Sequence, residues 1–197
     1  MGVVKTYGYY DGVQISPHFN SNEFRCKCGT PHEILIDDEL VENLEGIHKA
    51  FNCRSIIINS GYRCPAHDRK FGTGRGMHTQ GKAADIVCRY QDNKIINSKL
   101  VCCKAQDVGF KGIANIDSTY TATHVDTRDN KWFSDETKGA SFTVNDFYEY
   151  FDDVVMSKPS EPIKYFTKEE VQVQITNLKT QRDAIDKMIS DLEEKIK

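Results

Sequence analysis

The sequence predicts an α+β domain, a small antiparallel sheet with flanking helices, followed by a C-terminal coiled-coil helix. Short β-branched runs are typical of strands, and longer stretches with apolar residues at helical spacing are typical of amphipathic helices. The two types do not alternate regularly, which argues against a doubly wound sheet. A polar, proline-containing segment near residue 156 separates this domain from a long helical sequence.

Hydrophobic spacing predicts each element of the first domain in turn. Apolar residues at helical spacing predict one helix over DDELVENLEGIHKAF and a second from Ile95 to Phe110. The predicted strands are SIIINS, AADIVCRY and THVDTR. The first strand leads directly into the stretch SGYRCPAHDRKFGTGRGMHTQGKAADI, which is rich in glycine, histidine and charged residues.

The sequence predicts a first domain at residues 1–155, a linker at 156–166 and a coiled-coil helix at 167–197. Thr167 and Glu170 match a capping box, which predicts the start of a helix. Arg182 lies in a narrow apolar seam with heptad spacing, whose other members are Val171, Ile175, Leu178, Ile185, Ile189, Leu192 and Ile196. Such a seam predicts a homo-oligomer paired through this helix, and the alternative is that the helix folds back on the first domain.

Composition excludes some classes of partner. The net charge of −3 gives no basic footprint, so no nucleic-acid partner is expected. Apolar runs are too short to span a bilayer, so no membrane partner is expected and the protein is expected to be soluble. The N-terminus lacks a charged head followed by an apolar stretch, so we expect no secretory signal.

The seven cysteines form an odd-numbered set without a CxxC pair, which favours reduced, partly buried thiols over a disulfide scaffold. Cys26 and Cys28 in FRCKCG suggest an alternative, a second metal site completed by His18 or His32. A lone CxC lacks the usual spacing of a structural zinc knuckle, so plain thiols are the favoured interpretation.

Three residues are candidate metal ligands. His78 lies seven residues before Asp85, and Gly81 between them permits a turn that lets both side chains face one point. His124 lies on a strand that is expected to run beside the AADIV strand. Two histidine nitrogens and one carboxylate oxygen suit a catalytic zinc ion, which keeps its fourth position for water.

Two further residues are candidate catalytic groups. Asp126 lies two residues after His124 on the same strand, so both side chains point to one face. Asp126 would then accept a proton from the metal-activated water or orient a ligand histidine. Arg63 on the loop after SIIINS carries a guanidinium suited to binding a carboxylate, which indicates a substrate with an anionic peptide end.

Several motifs in order, SPHFNSNEF, CKCG, IDDELVENL, IINSGYRCPAH, GMHTQGKAADI and HVDTR, resemble the zinc D-Ala-D-Ala carboxypeptidase family. These peptidoglycan peptidases share the hedgehog fold, and the resemblance covers roughly residues 16–151. The family pattern SxHxxGxAxD implies His78 and Asp85 as the first two zinc ligands. The resemblance also implies His124 as the third ligand and Arg63 as a substrate-binding residue.

The chain departs from the family pattern at two positions. Gly76 stands where the family has a serine, and Thr121 stands where many relatives carry a catalytic glutamate or aspartate. The general base is therefore expected elsewhere, with Asp126 as the first candidate and Asp117 as the second.

The resemblance implies that the first domain, residues 1–155, is a zinc-dependent peptidase domain that cuts peptidoglycan stem peptides near a D-amino acid. It fits a phage or prophage lysis enzyme, or a bacterial wall remodeller, that stays in the cytoplasm until it is released to the wall. Two scissile bonds remain open, one at the D-Ala terminus and one between L-Ala and D-Glu. The departures at Gly76 and Thr121 motivate an alternative, a catalytically inactive metal-binding structural or wall-binding module.

Overall fold

The computed structural model describes residues 2–139 and 142–152, together with positions 172, 176, 179 and 182. Chain contacts divide the protein into two units, Met1–Met156 and Ser157–Lys197. The predicted linker and coiled-coil helix lie outside the described residues, except at those four positions, which are helical. The linker, the helix seam and the homo-oligomer therefore stay predictions.

The first unit contains seven strands and four α-helices among its described residues. The strands are β1 (Val4–Tyr7), β2 (Ile34–Asp37), β3 (Ser55–Ser60), β4 (Ala83–Arg89), β5 (Gly112–Asn115), β6 (Thr123–Asp126) and β7 (Trp132–Asp135). The helices are α1 (Asp38–Phe51), α2 (Pro65–Asp68), α3 (Ser98–Val108) and α4 (Phe147–Tyr150). Single 3₁₀ turns cover Ser21–Phe24, Met77–Gln80 and Glu136–Lys138.

These elements confirm the predicted α+β class. Strands β1 and β2 form a small antiparallel sheet, and the other five form a sheet of order β3-β4-β6-β5-β7. All neighbours in the larger sheet are antiparallel except β5 and β7, which are parallel. The three predicted strands and two predicted helices are present, and the structure adds four short strands that the sequence did not predict, β1, β2, β5 and β7.

One face of the larger sheet belongs to the hydrophobic core. Helix α1 buries Leu40, Leu44 and Ile47 in this core, to which β4 contributes Ile86 and β6 contributes Val125. Successive strand residues point to opposite faces, so the neighbours of Ile86 and Val125 along each strand point away from that core. No helix among the described residues has the length and apolar character needed to cross a membrane.

Candidate metal centre

Strands β4 and β6 bring two of the predicted ligands together by their register. Asp85 of β4 pairs directly with His124 of β6, and Ala83 pairs with Asp126. Residues directly opposite each other in an antiparallel pair share one face of the sheet. Asp85, His124 and Asp126 therefore lie on the face that points away from the α1 core, as the alternation along β6 predicted.

The third predicted ligand, His78, comes from the 3₁₀ turn that precedes β4. Gly81 ends this turn with φ of 72°, a left-handed conformation that favours glycine. A Cβ at Gly81 would also lie 2.5 Å from the carbonyl oxygen of Leu35, so glycine is needed for space as well. The His78 ring is fixed by Nδ1, which donates to the Gly61 carbonyl oxygen at 2.7 Å.

The three side chains present their donor atoms to one point, and we call them the His–Asp–His cluster. His78 Nε2 lies 3.3 Å from Asp85 Oδ1, and His124 Nδ1 lies 2.9 Å from the same oxygen. One ligand atom from each residue lies within 4.8 Å of the others. Two imidazole nitrogens and one carboxylate oxygen match the donor set of catalytic zinc sites, so these residues fit a divalent metal.

Asp126 contacts the side of the His124 ring that faces away from Asp85. Its Oδ2 lies 3.0 Å from His124 Nε2, and its Oδ1 accepts from Arg128 Nε at 2.8 Å. The Asp126 side chain is fully buried. A carboxylate that binds the second nitrogen of a ligand histidine fixes the ring and makes it a stronger ligand.

Arg63 lies beside the cluster but is already paired with protein carboxylates. Its Nη2 donates to Asp85 Oδ2 at 2.5 Å, and its Nη1 lies 3.5 Å from Asp68 Oδ1. Its Nε donates to Ser60 Oγ at 2.8 Å. The arginine thus holds the outer oxygen of Asp85, which leaves Oδ1 directed at the two histidines.

The electrostatics of the cluster favour a cation. Burial opposes ionisation of Asp85, but hydrogen bonds from His124 and His78 outweigh it and hold its pKa well below the ordinary value. Burial alone would lower the pKa of His124, but the carboxylates of Asp126 and Asp85 outweigh it and raise the pKa to about 9. For Asp126, burial is outweighed by His124 and Arg128, which lower the pKa to about 2. The cluster thus holds an ionised carboxylate at Asp85, and His124 would release its proton when a metal ion binds.

The two departures from the expected pattern lie on loops. Thr121 donates its backbone N–H to Asp117 Oδ2 at 2.8 Å, and Asp117 Oδ1 accepts from Thr119. Both oxygens of Asp117, the second candidate base, thus accept hydrogen bonds within its own loop. Gly76 precedes the 3₁₀ turn of His78, and its φ of −72° is open to any residue.

Comparison with known proteins identifies the family. The sequence profile named Peptidase M15 matches residues 17–126, more than half of the chain. The chain belongs to the M15 peptidase family. No curated protein and no solved structure matches it. The match contains all three residues of the His–Asp–His cluster, and it confirms the resemblance to zinc D-Ala-D-Ala carboxypeptidases.

Three parts of this M15 site are not among the residues that the sequence predicts. The Gly61 carbonyl oxygen that fixes His78 is a backbone group, which leaves no signal in side-chain patterns. Arg128 follows Asp126 by two residues in HVDTR, a spacing that could have signalled the pair. Trp132, the single tryptophan, packs edge-on against His124 with ring centroids 5.9 Å apart and lies under the Arg128 guanidinium.

Proposed function

We propose that this M15 family member is a zinc-dependent peptidase that hydrolyses an amide bond near a D-amino acid in peptidoglycan stem peptides. The observation that carries the proposal is the convergence of His78 Nε2, Asp85 Oδ1 and His124 Nδ1 on one point. Three protein ligands, in contrast to four, are typical of a catalytic metal that substrate can reach. Asp85 and His124 keep side-chain exposures of 14% and 12%, so the cluster reaches solvent.

The family membership supports the substrate class. When bound at this cluster, zinc would supply a Lewis acid that activates water and polarises the carbonyl of the scissile amide. The protein's own groups fix the ligands. Gly61 holds the tautomer of His78 through Nδ1, and Arg63 holds Asp85 through its outer oxygen.

We assign Asp126 as the positioning residue of His124. Its carboxylate contacts Nε2 of that ring and the Arg128 guanidinium, and it lies away from the point where the three ligand atoms meet. Of the two roles that the sequence allowed for Asp126, this geometry favours orientation of the ligand over proton transfer. The substrate-binding role of Arg63 stays a prediction, since its guanidinium is paired with Asp85 and Asp68.

A second candidate function is a metal-binding wall module without turnover. The observation that favours it is that both candidate general bases, Asp126 and Asp117, already bind other groups of the protein. Asp126 is fully buried behind His124, and Asp117 accepts hydrogen bonds from Thr119 and Thr121. Neither carboxylate directs a free oxygen at the cluster.

The experiment is digestion of purified muropeptides by the metal-quantified full-length chain, with the products identified by mass. We expect cleavage that is lost in His78→Ala and retained in His18→Ala, because His18 contacts Glu45 and His48 on another part of the domain. Release of free D-alanine would identify the terminal bond, and a new D-Glu N-terminus would identify the L-Ala–D-Glu bond. Bound metal without cleavage of any wall type would overturn the peptidase proposal in favour of the wall module.

A further inference from the structure

A second group of metal-ligating side chains lies outside the His–Asp–His cluster. Its members, here called the cysteine cluster, are Cys26, Cys28, His32 and Cys64. Their ligand atoms all lie within 4.8 Å of one another. Zinc–sulfur bonds of about 2.3 Å set the edge of a tetrahedral site at roughly 3.8 Å, so this spacing needs little contraction to close around one ion.

The histidine of the cysteine cluster has the tautomer that a metal ligand needs. His32 Nδ1 lies 2.9 Å from the carbonyl oxygen of Glu33, which can only accept, so this nitrogen carries the hydrogen. The lone pair of Nε2 then points at Cys28 Sγ, 3.2 Å away. Metal-ligating histidines typically donate their second N–H in this way to a backbone carbonyl.

Two sulfurs of the cysteine cluster accept backbone hydrogen bonds. The N–H of Thr30 donates to Cys28 Sγ at 3.4 Å, and the N–H of Cys64 donates to Cys26 Sγ at 3.3 Å. Such donors stabilise negative charge on sulfur, and the thiolate is the form that binds metal. Gly29 provides the turn that brings Cys28 and His32 together, with φ of 82°.

We propose that the cysteine cluster is a structural zinc site, distinct from the His–Asp–His cluster. Three thiolates and one imidazole form a closed tetrahedral set, which is typical of structural zinc. Thiolate ligands also select a soft divalent ion over magnesium or calcium. The CKCG motif suggests a second metal site completed by His18 or His32. The structure brings His32 and Cys64 to these two cysteines and places His18 beside Glu45 and His48 instead.

The site also ties the cysteine cluster to the proposed catalytic cluster. Cys64 ends a short segment in which Gly61 holds His78 through its carbonyl oxygen and Arg63 holds Asp85. Within this segment, the N–H of Tyr62 donates to the Phe24 carbonyl oxygen at 2.9 Å. A zinc ion on Cys64 would therefore restrain the loop that orients two ligands of the other cluster.

Cobalt substitution of the full-length chain tests the proposal directly. Only sulfur ligands give sulfur-to-cobalt charge-transfer absorption in the near ultraviolet, so the spectrum separates the two clusters. We expect this absorption, with two metal ions per chain, in the unmodified protein. Cys28→Ser should lose the absorption and one metal ion, whereas His78→Ala should lose one ion and keep the absorption.

Cys103→Ala is the matched control, because this buried thiol on α3 lies outside the cysteine cluster and its loss should change neither quantity. Absence of the absorption in the unmodified, cobalt-loaded protein would overturn the proposal. The cobalt spectrum does not depend on hydrolysis, so failure of the peptidase proposal would leave this result unaffected.

Discussion

The two clusters are built on different kinds of backbone. In the His–Asp–His cluster, Asp85 and His124 occupy paired positions of neighbouring strands, so sheet hydrogen bonds set their separation. In the cysteine cluster, no ligand lies in a strand or helix. Cys26, Cys28 and His32 come from the segment between the first 3₁₀ turn and β2, and Cys64 directly precedes α2. The first cluster is preorganised by the sheet, whereas the second would depend on its ion to hold two loops together.

The largest effect that separates the clusters is expected in thermal stability. An ion held about 1,000-fold above its dissociation constant contributes ~4 kcal/mol, which corresponds to about 8–16 °C in Tm for a chain of this size. We expect Cys28→Ser to lower Tm by that amount and His78→Ala to lower it by less than half as much. Near-ultraviolet circular dichroism during heating measures the Tm of both variants. Equal decreases of Tm in the two variants would contradict the claim that only the cysteine cluster depends on its ion for its structure.

Asp126→Asn is the next test, because it keeps the shape of the side chain and removes the charge that fixes His124. Loss of such a partner typically weakens metal affinity about 10–100-fold. We expect this loss at the His–Asp–His cluster, measured by competition with a chelator, with the sulfur-to-cobalt absorption unchanged. Asp92→Asn is the control, since Asp92 is an exposed residue paired with Lys94. Unchanged affinity in Asp126→Asn would remove its assignment as a positioning residue.

The different backbones of the two clusters, strands in one and loops in the other, explain which of their residues the sequence could predict. Alternation along a strand places His124 and Asp126 on one face, and the short spacing of His78 and Asp85 already indicates a shared site. The register that pairs Asp85 with His124 depends on tertiary structure, and so does the carbonyl of Gly61. Cys64 lies 36 residues after Cys28 in the sequence, so no local pattern connects it to the CKCG motif.

Gly112→Ala should produce a smaller effect that is specific to the sheet. Gly112 of β5 pairs with Asp126, and an added Cβ would lie 2.0 Å from Asp126 Oδ1. Overpacking of this kind costs about 1–3 kcal/mol. We expect a lower Tm and weaker metal binding at the His–Asp–His cluster, while the cobalt spectrum of the cysteine cluster is retained. Loss of the cobalt band together with the affinity would contradict an effect confined to the sheet.

The smallest effect is expected from Gly76→Ser, which introduces the residue that the family carries before the first ligand. Gly76 has an ordinary φ of −72°, and an added Cβ would meet Asp68 Oδ2 at 3.7 Å, a normal contact. Serine in place of glycine at the start of a helical turn changes stability by only a few tenths of a kcal/mol, or about 1 °C in Tm. We expect kcat/KM for muropeptides to stay equal or rise, because the added hydroxyl lies one residue from the turn that carries His78. A rise in kcat/KM without a change in Tm would mean that the added hydroxyl contributes to substrate contact. Gly112→Ala, in contrast, is expected to lower Tm. A fall in Tm of several degrees would contradict the open space at this position.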